Sequence, residues 1–328
     1  MKRILGIGNA LVDVMTQIDN DKVLNDFELP KGSMQLVDHE KSLLVKSGTD
    51  RFKKSLASGG SAANTIHGLA MLGAETGFIG SIGKDETGDF FEKDMKSAGV
   101  KTILIRRDSV TGTAVALVSP DSERTFATHL GAATELEAAD LYSDQFKGYD
   151  ILYLEGYLIF NKPLVESACR IAKEHKMKVA LDLASYNVVE FKLQDFKEIV
   201  EKYVDIVFAN EEEARAFTGK NPEEALNILS ELCEIAVVKT GSEGSLIKRG
   251  EEILKIGTIK VDLHDTTGAG DLYASGFLYG YSMDYSLEAC GLFGSILAGN
   301  VIELIGAKMP GQKWDHIKNT IGEIINSN

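Results

Sequence analysis

Residues 265–271, Asp-Thr-Thr-Gly-Ala-Gly-Asp, place a carboxylate in a glycine-rich turn that leads into an apolar, helix-like run. Glycines at 268 and 270 let backbone N–H groups converge on one point, and the helix adds unpaired amides and its positive dipole end. A phosphoryl group suits such a site. Because a fixed negative charge would repel this ligand, Asp271 needs a task there, and removing a proton from a hydroxyl is one. The segment predicts phosphoryl transfer to an alcohol, with developing charge held by the amides of Gly268, Ala269 and Gly270.

The glycines of residues 265–271 also allow interpretations without phosphoryl transfer. Asp is a favoured residue at helix starts, and glycines before a helix often form only a turn. The segment is not a Walker A loop, because no lysine follows Gly270. A dinucleotide-binding loop at residues 6–11 is disfavoured as well, because Leu11 replaces the third glycine of the G-x-G-x-x-G pattern. An oxidoreductase is therefore the weaker alternative.

A second glycine-rich segment lies far upstream. In residues 58–74 the pair Gly59 and Gly60 opens a helix-like run, and residues 76–89, Thr-Gly-Phe-Ile-Gly-Ser-Ile-Gly-Lys-Asp-Glu-Thr-Gly-Asp, follow it. Together with residues 265–271, these segments resemble the paired signatures of the ribokinase-like family, also called the pfkB carbohydrate kinases, which includes adenosine kinase. The resemblance spans nearly the whole chain. It implies an α/β, ribokinase-like fold, with a central, mostly parallel sheet, helices on both faces and a small β-sheet lid.

Composition restricts the partners. The chain has 328 residues, 44% of them apolar, which is enough for a large core. Its 35 basic and 49 acidic residues leave a formal charge of −14, so we expect neither nucleic acid nor a membrane surface as a partner. Cys169, Cys233 and Cys290 lack C-x-x-C spacing, and the sequence shows neither a signal peptide nor an apolar run of about 18 residues. We expect a cytoplasmic protein.

Short β-branched runs alternate with longer amphipathic segments, which predicts a parallel sheet covered by helices. The predicted strands are 4–8, 77–82, 151–154, 179–183, 206–209 and 235–239. Ligands of such sheets bind at the strand carboxyl ends. Short alternating segments predict a second, small sheet, which the resemblance implies is a lid. The predicted division is a large domain of 1–9, 39–100 and 129–328, and a lid of 10–38 and 101–128.

Polar residues after the first strand could hold an alcohol acceptor. Asn9 and Asp13 offer donor and acceptor atoms for hydroxyl groups, and one carboxylate accepts well from a vicinal diol. The resemblance implies that both hold a sugar ring, and that Gly59, Gly60 and Asn64 join them. The alternative for Asn64 is capping or packing.

Two segments in the C-terminal half are candidates for the donor side. Asn210 and Glu213 match the family's N-x-x-E pattern, which the resemblance ties to phosphate and magnesium, the latter held indirectly. Helix capping explains the same residues equally well. The turn with Thr240, Gly241 and Gly244 resembles the family's nucleotide-contacting turn. The resemblance implies ATP as phosphate donor and Mg²⁺ as cofactor.

Further candidates lie at Lys239, at Asp265 and Thr267, and in segment 287–304. Lys239 departs from the apolar residue usual in the family, and a solvated charge at a strand end is its simplest interpretation. Asp265 and Thr267 match positions that supply oxygens to a monovalent cation in several members, so the resemblance implies possible K⁺ binding. Segment 287–304, rich in small residues, would pack near the adenine by resemblance, although small residues are also common in helix packing.

The sequence therefore predicts an ATP-dependent kinase that phosphorylates the primary hydroxyl of a sugar or ribonucleoside. Adenosine kinase specifically is an alternative, since residues 29–37 and 124–132 could cover a base with apolar and aromatic side chains. A binding protein without turnover is a remote alternative, because binding alone has no use for Asp271. The resemblance also implies a possible homodimer through the lid.

Overall fold

The computed structural model describes residues 1–121 and 123–327, and nine strands of this part of the chain form one sheet. Seven neighbouring strands are parallel and the last two antiparallel. Their spatial order is β14-β13-β12-β11-β10-β9-β1-β5-β6. The strands are β1 Ile4–Ile7, β5 Thr76–Gly83, β6 Lys101–Arg107, β9 Ile151–Glu155, β10 Lys178–Asp182, β11 Ile206–Asn210, β12 Ile235–Lys239, β13 Ser245–Arg249 and β14 Glu252–Ile256.

The central strands are buried on both faces, which explains their continuous apolar sequences. In β1, Leu5 packs in the core cluster of one face and Ile4 in that of the other. Gly6 is in contact with α3, since a Cβ atom there would lie 2.3 Å from Ile66 Cγ1. The helices are α1 Lys22–Asp26, α2 His39–Gly48, α3 Ser61–Met71, α4 Glu86–Ser97, α5 Ser143–Phe146, α6 Lys162–Glu174, α7 Tyr186–Phe191, α8 Leu193–Tyr203, α9 Glu211–Thr218, α10 Pro222–Leu232, α11 Ala269–Ser282, α12 Leu287–Val301 and α13 Gly311–Ser327.

In the same described residues, a second sheet of five strands lies beside the first. Its order is β3-β8-β7-β2-β4, with β2 Leu11–Gln17, β3 Met34–Leu36, β4 Lys54–Gly59, β7 Thr111–Val118 and β8 Arg124–Gly131. Val14, Val115 and Ala127 of this sheet pack with α1 and α2 in one apolar cluster. Asp13 is adjacent to Val14 in β2 and so lies on the opposite face.

The six predicted strands of the large sheet are confirmed, but sheet pairing differs from the predicted lid boundaries in two places. β6, placed in the lid, pairs in parallel with β5 at the edge of the large sheet. β4, placed in the large domain, pairs with β2 in the small sheet. An edge strand with one covered face has the same alternating pattern as a lid strand, and the serine-rich β4 has a weak strand pattern. No helix within residues 1–121 and 123–327 is both long and apolar enough to cross a bilayer.

Candidate active site

The turn before α11 forms the floor of a cleft. Gly268 precedes the helix with φ 77°, a conformation that favours glycine, and a Cβ atom there would lie 2.6 Å from the Ala307 Cβ. The first amides of α11 therefore face a cavity of about 770 Å³. The cavity lining includes Ser61, Asp182, Asn210, Glu213, Lys239, Gly241, Gly244, Gly268, Ala269, Gly270, Asp271, Ser295, Ala298 and Gly299.

Asp271 lies in the first turn of α11 and is hydrogen-bonded to the start of α3. Its two oxygens accept hydrogen bonds from the Ser61 hydroxyl at 2.7 Å and from the Asn64 amide at 3.0 Å. Burial raises the pKa of Asp271 from 3.8 to about 6, although both hydrogen bonds act in the opposite direction. The carboxylate is therefore a stronger base than an exposed aspartate and is still mostly ionised at neutral pH.

The glycine pair lets α3 begin close to β1. Gly60 has φ 100°, and a Cβ atom there would lie 2.1 Å from the Asn9 carbonyl oxygen. Asn64, one turn into α3, is buried, and its side-chain oxygen has no hydrogen-bond partner among the described residues. An unpaired buried acceptor is costly, so a ligand hydroxyl that donates to Asn64 would be favoured.

Asp13 faces the same glycine pair from the small sheet. A Cβ atom on Gly59 would lie 2.4 Å from the Asp13 Oδ1, so only glycine leaves room for this carboxylate. Burial raises the pKa of Asp13 to about 6, with Lys308 and Arg124 acting against the rise and Asp271 adding to it. Asp13 thus lies against Gly59 and close enough to Asp271 to interact with its charge.

Asn9 is also in this region, but its side-chain donor is already used. Its backbone N–H and its amide both donate to the Glu155 carboxylate, which also accepts from the Ala62 N–H at 2.8 Å. Glu155 ends β9 and is fully buried, and burial raises its pKa to about 7 despite these hydrogen bonds. Glu155 therefore fixes Asn9 and the start of α3. Sequence reasoning missed it, although an acidic residue ending a buried strand was a visible signal.

Two buried cations near Asp13 were not predicted as site residues. The Lys308 ammonium has no partner within the part of the chain that the structure describes, and burial lowers its pKa to about 8. Arg124, the first residue of β8, forms an ion pair with Asp265, and both side chains are only 6% exposed. The Nε and Nη1 of Arg124 lack partners among the same residues. Both cations interact electrostatically with Asp13.

Asn210 and Glu213, predicted for the donor side, form a reciprocal helix cap. The Asn210 side chain accepts from the Glu213 N–H at 2.8 Å, and Glu213 accepts from the Asn210 N–H at 2.7 Å and its amide at 2.8 Å. Capping therefore accounts for this pair locally, as the alternative predicted. Burial raises the pKa of Glu213 to about 7, although Lys239 opposes the rise. Both residues still line the cavity.

The turn after β12 approaches the same cavity. Gly241 and Gly244 line it, with φ values of 54° and 97°. A Cβ atom on Gly244 would lie 1.9 Å from the Ile256 carbonyl oxygen, so packing on β14 alone requires this glycine. The buried Thr240 hydroxyl has no partner in the described part of the chain.

Lys239 is not a solvated charge, contrary to the simplest interpretation of the sequence. Its ammonium lies 2.8 Å from the Asp182 carboxylate, and the two side chains are 14% and 6% exposed. Asp182 ends β10 and was not predicted either. Both residues line the cavity beside Asp271.

Asp265 has little free capacity for a metal ion. Its oxygens accept from the Thr267 N–H at 2.9 Å and the Gly306 N–H at 2.7 Å, and its charge is paired with Arg124. Among the described residues no group of three or more His, Cys, Asp or Glu side chains is placed to bind a metal.

Known proteins are similar to this chain over most of its length. An uncharacterized sugar kinase of Archaeoglobus fulgidus is 32% identical over 74% of this chain and 96% of its own length. The adenosine kinase of Dictyostelium discoideum is 28% identical over 95% of this chain and 97% of its own. A solved adenosine kinase structure from Sinorhizobium meliloti superposes with a TM-score of 0.87 and 35% identity, covering 97% of this chain and 99% of that one. The model of the pfkB family carbohydrate kinases matches residues 34–314. The chain therefore belongs to the pfkB family of carbohydrate kinases.

Proposed function

We propose that the protein transfers the γ-phosphoryl group of ATP to the primary hydroxyl of a sugar or ribonucleoside, with Asp271 as general base. Family membership makes it a phosphotransferase with an alcohol acceptor. One observation carries the residue assignment. Asp271 lies where the donor cavity meets the first turn of α3, so its carboxylate contacts both the anion-binding turn and the acceptor side.

In this mechanism Asp271 accepts the hydroxyl proton while the alcohol oxygen attacks the γ-phosphorus in line and the bond to the β-phosphate oxygen breaks. Ser61 and Asn64 orient the carboxylate, and the raised pKa suits a base that must be ionised at neutral pH. The amides of Gly268, Ala269 and Gly270 stabilise charge on the transferred group.

Magnesium is expected to accompany the nucleotide. Asn210 and Glu213 offer oxygen atoms at the cavity, which fits an ion that keeps several of its waters and is held indirectly. These residues would hold it, and when bound it would neutralise phosphate charge. The turn with Gly241 and Gly244 would lie along the nucleotide, opposite Ala298 and Gly299 of α12.

For the acceptor, a ribose-type diol fits the charges on the α3 side. Asp13 can accept from two hydroxyls, and the unpaired Asn64 oxygen from a third. Adenosine is the first nucleoside to test, because full-length relatives include adenosine kinases. A probable sugar kinase from Rhizobium etli is equally similar, at 35% identity and TM-score 0.87, so sugars belong in the same panel.

The test is a coupled assay of ADP release with ATP, Mg²⁺ and a panel of sugars and nucleosides. We expect one class to give acceptor-dependent turnover. Acceptor binding without turnover would instead support a binding protein, and NAD(P)-dependent absorbance changes would support an oxidoreductase. Either result would contradict the proposal.

The residues around Asp265 do not fit the monovalent cation that the resemblance implies. Arg124 supplies a permanent positive charge to this carboxylate, and two backbone N–H groups fill its oxygens. Since an arginine side chain stays protonated, a K⁺ ion would have to displace it.

A homodimer through the lid is part of the proposal. The lid carries exposed apolar side chains, among them Met34 and Leu36 of the edge strand β3 and Leu56 of the opposite edge strand β4. Exposed apolar edges are candidates for pairing between copies. Sedimentation equilibrium should give the mass of a dimer for the wild type and a lower mass for Leu56→Lys. A monomeric wild type would contradict the proposed dimer. Location in the cytoplasm is likewise proposed, and the free state of all three cysteines supports it.

A further inference from the structure

Lys239 ends β12 with its side chain directed along the floor of the cleft. A Cβ atom built on Gly270 would lie 3.1 Å from the Lys239 ammonium nitrogen. The positive charge therefore lies against the first turn of α11, within the anion-binding turn. Asp182 holds it there at 2.8 Å.

The carboxylates of Asp182 and Glu213 stabilise this cation in the free protein, although a helix N-terminus carries about half a positive charge. The lysine and the free amides of the helix face the same cavity. In phosphate-binding loops, a lysine and helix amides arranged in this way bind one anion together. The arrangement thus indicates a ligand with concentrated negative charge.

We propose that Lys239 is a further catalytic residue that binds terminal phosphate oxygens of the donor nucleotide, and that Asp182 is the positioning residue that aims it. The inference rests on the proposed kinase function. An ammonium group has three donors, so Lys239 can keep its bond to Asp182 and still donate to phosphate. It forms no covalent bond and transfers no proton.

The charge of Lys239 is maintained by its neighbours. Burial favours the neutral amine, but the carboxylates of Asp182 and Glu213 outweigh it and raise the pKa of Lys239 above its usual value. The side chain is therefore charged at any pH at which the enzyme would work, and binding of phosphate reinforces this state.

Lys239→Met tests the proposal, because methionine has similar length and no charge. Calorimetry measures the Kd of Mg-ATP without any acceptor, and kinetics give KM for ATP, KM for the acceptor and kcat. We expect the Kd of Mg-ATP to rise about 10- to 100-fold, as for loss of a charged hydrogen bond. The KM of the acceptor should stay unchanged. Lys239→Arg should recover part of the ATP affinity.

Two further variants keep the test interpretable. Lys248→Met is the matched control, since Lys248 lies on the adjacent strand β13 and its ammonium donates to the Asn227 side chain. Because Lys239→Met leaves a buried carboxylate unpaired, the double variant with Asp182→Asn is measured as well, and it should fold while still binding ATP weakly.

The outcomes separate this inference from the proposed function. Suppose that the wild type transfers phosphate, but Lys239→Met, alone or with Asp182→Asn, binds Mg-ATP with the wild-type Kd. Lys239 then only forms a structural ion pair, and the inference is wrong. The kinase proposal is unaffected by this result. If the wild type binds no ATP, both are wrong. A selective loss of ATP affinity supports the inference.

Discussion

Replacing Asp271 by asparagine should lower activity and raise stability. Asparagine keeps the shape of the side chain but cannot accept the hydroxyl proton. General base catalysis contributes about 10²–10⁴-fold, so kcat should fall by that factor. ATP affinity should change little, because the amides of the anion-binding turn remain.

The stability effect follows from the raised pKa. A rise from 3.8 to about 6 means that the folded protein binds this proton more tightly than the unfolded chain does. The carboxylate therefore destabilises the fold by about 3 kcal/mol above roughly pH 7, and this effect disappears below about pH 4. Asparagine removes the charge, but its NH₂ group meets the Asn64 donor and forfeits about 1 kcal/mol of hydrogen bonding. The variant should be more stable by about 2 kcal/mol at pH 8.

Denaturant unfolding at pH 8 and pH 4.5, combined with turnover measurements, checks both effects. Asp108→Asn is the control, since the Asp108 side chain is 95% exposed and forms a surface ion pair with Lys84. The stability gain of Asp271→Asn should be present at pH 8 and largely absent at pH 4.5. Near-normal turnover, or a loss of stability at pH 8, would refute the assignment of Asp271 as a buried base.

Three more predictions follow from the same geometry. kcat/KM should increase with pH through about 6, because burial raises the pKa of both Asp13 and Asp271 to about 6; a flat profile across this range would contradict the base assignment. Gly59→Ala should raise the acceptor KM more than the ATP KM, because its Cβ would lie 2.4 Å from the Asp13 carboxylate. Gly311→Ala is the control and should behave as wild type, because its Cβ would have nothing within 4 Å. Equal effects of Gly59→Ala on the two KM values would contradict a place for Asp13 in the acceptor site. Turnover should be the same in potassium and tetramethylammonium salts, because Arg124 already neutralises Asp265, and clear activation by potassium would show that the ion enters.

The parts of the site that the sequence predicted are those with a local signature. Gly268 precedes a helix, Asp271 follows within one turn, and Gly59 and Gly60 open another helix, so each is visible as a short pattern. The strands of the large sheet were equally visible, because burial on both faces requires continuous apolar runs. Their carboxyl ends then place these patterns at one edge of the sheet.

The residues that the sequence missed acquire their role through contacts across long stretches of chain. Asp182 and Lys239 are 57 positions apart, and Arg124 in β8 meets Asp265 in the loop before α11. A lysine at a strand end is usually solvated, and nothing near Lys308 distinguishes it from a surface lysine. Only packing shows that these cations are buried, since burial depends on what covers the strand end and not on its own sequence.

The distribution of charge around Asp13 and Asp271 suits the demands of phosphoryl transfer. Transfer of a phosphoryl group brings a highly charged donor next to a base that must be ionised, in a protein with a formal charge of −14. In the proposed mechanism, Lys308 and Arg124 lie near Asp13 on the acceptor side, and Lys239 lies near Asp271 on the donor side. Asp13 and Asp271 thus each have a cation close enough to favour the ionised form. This arrangement would keep Asp271 available as a base while its neighbours supply positive charge to the phosphates.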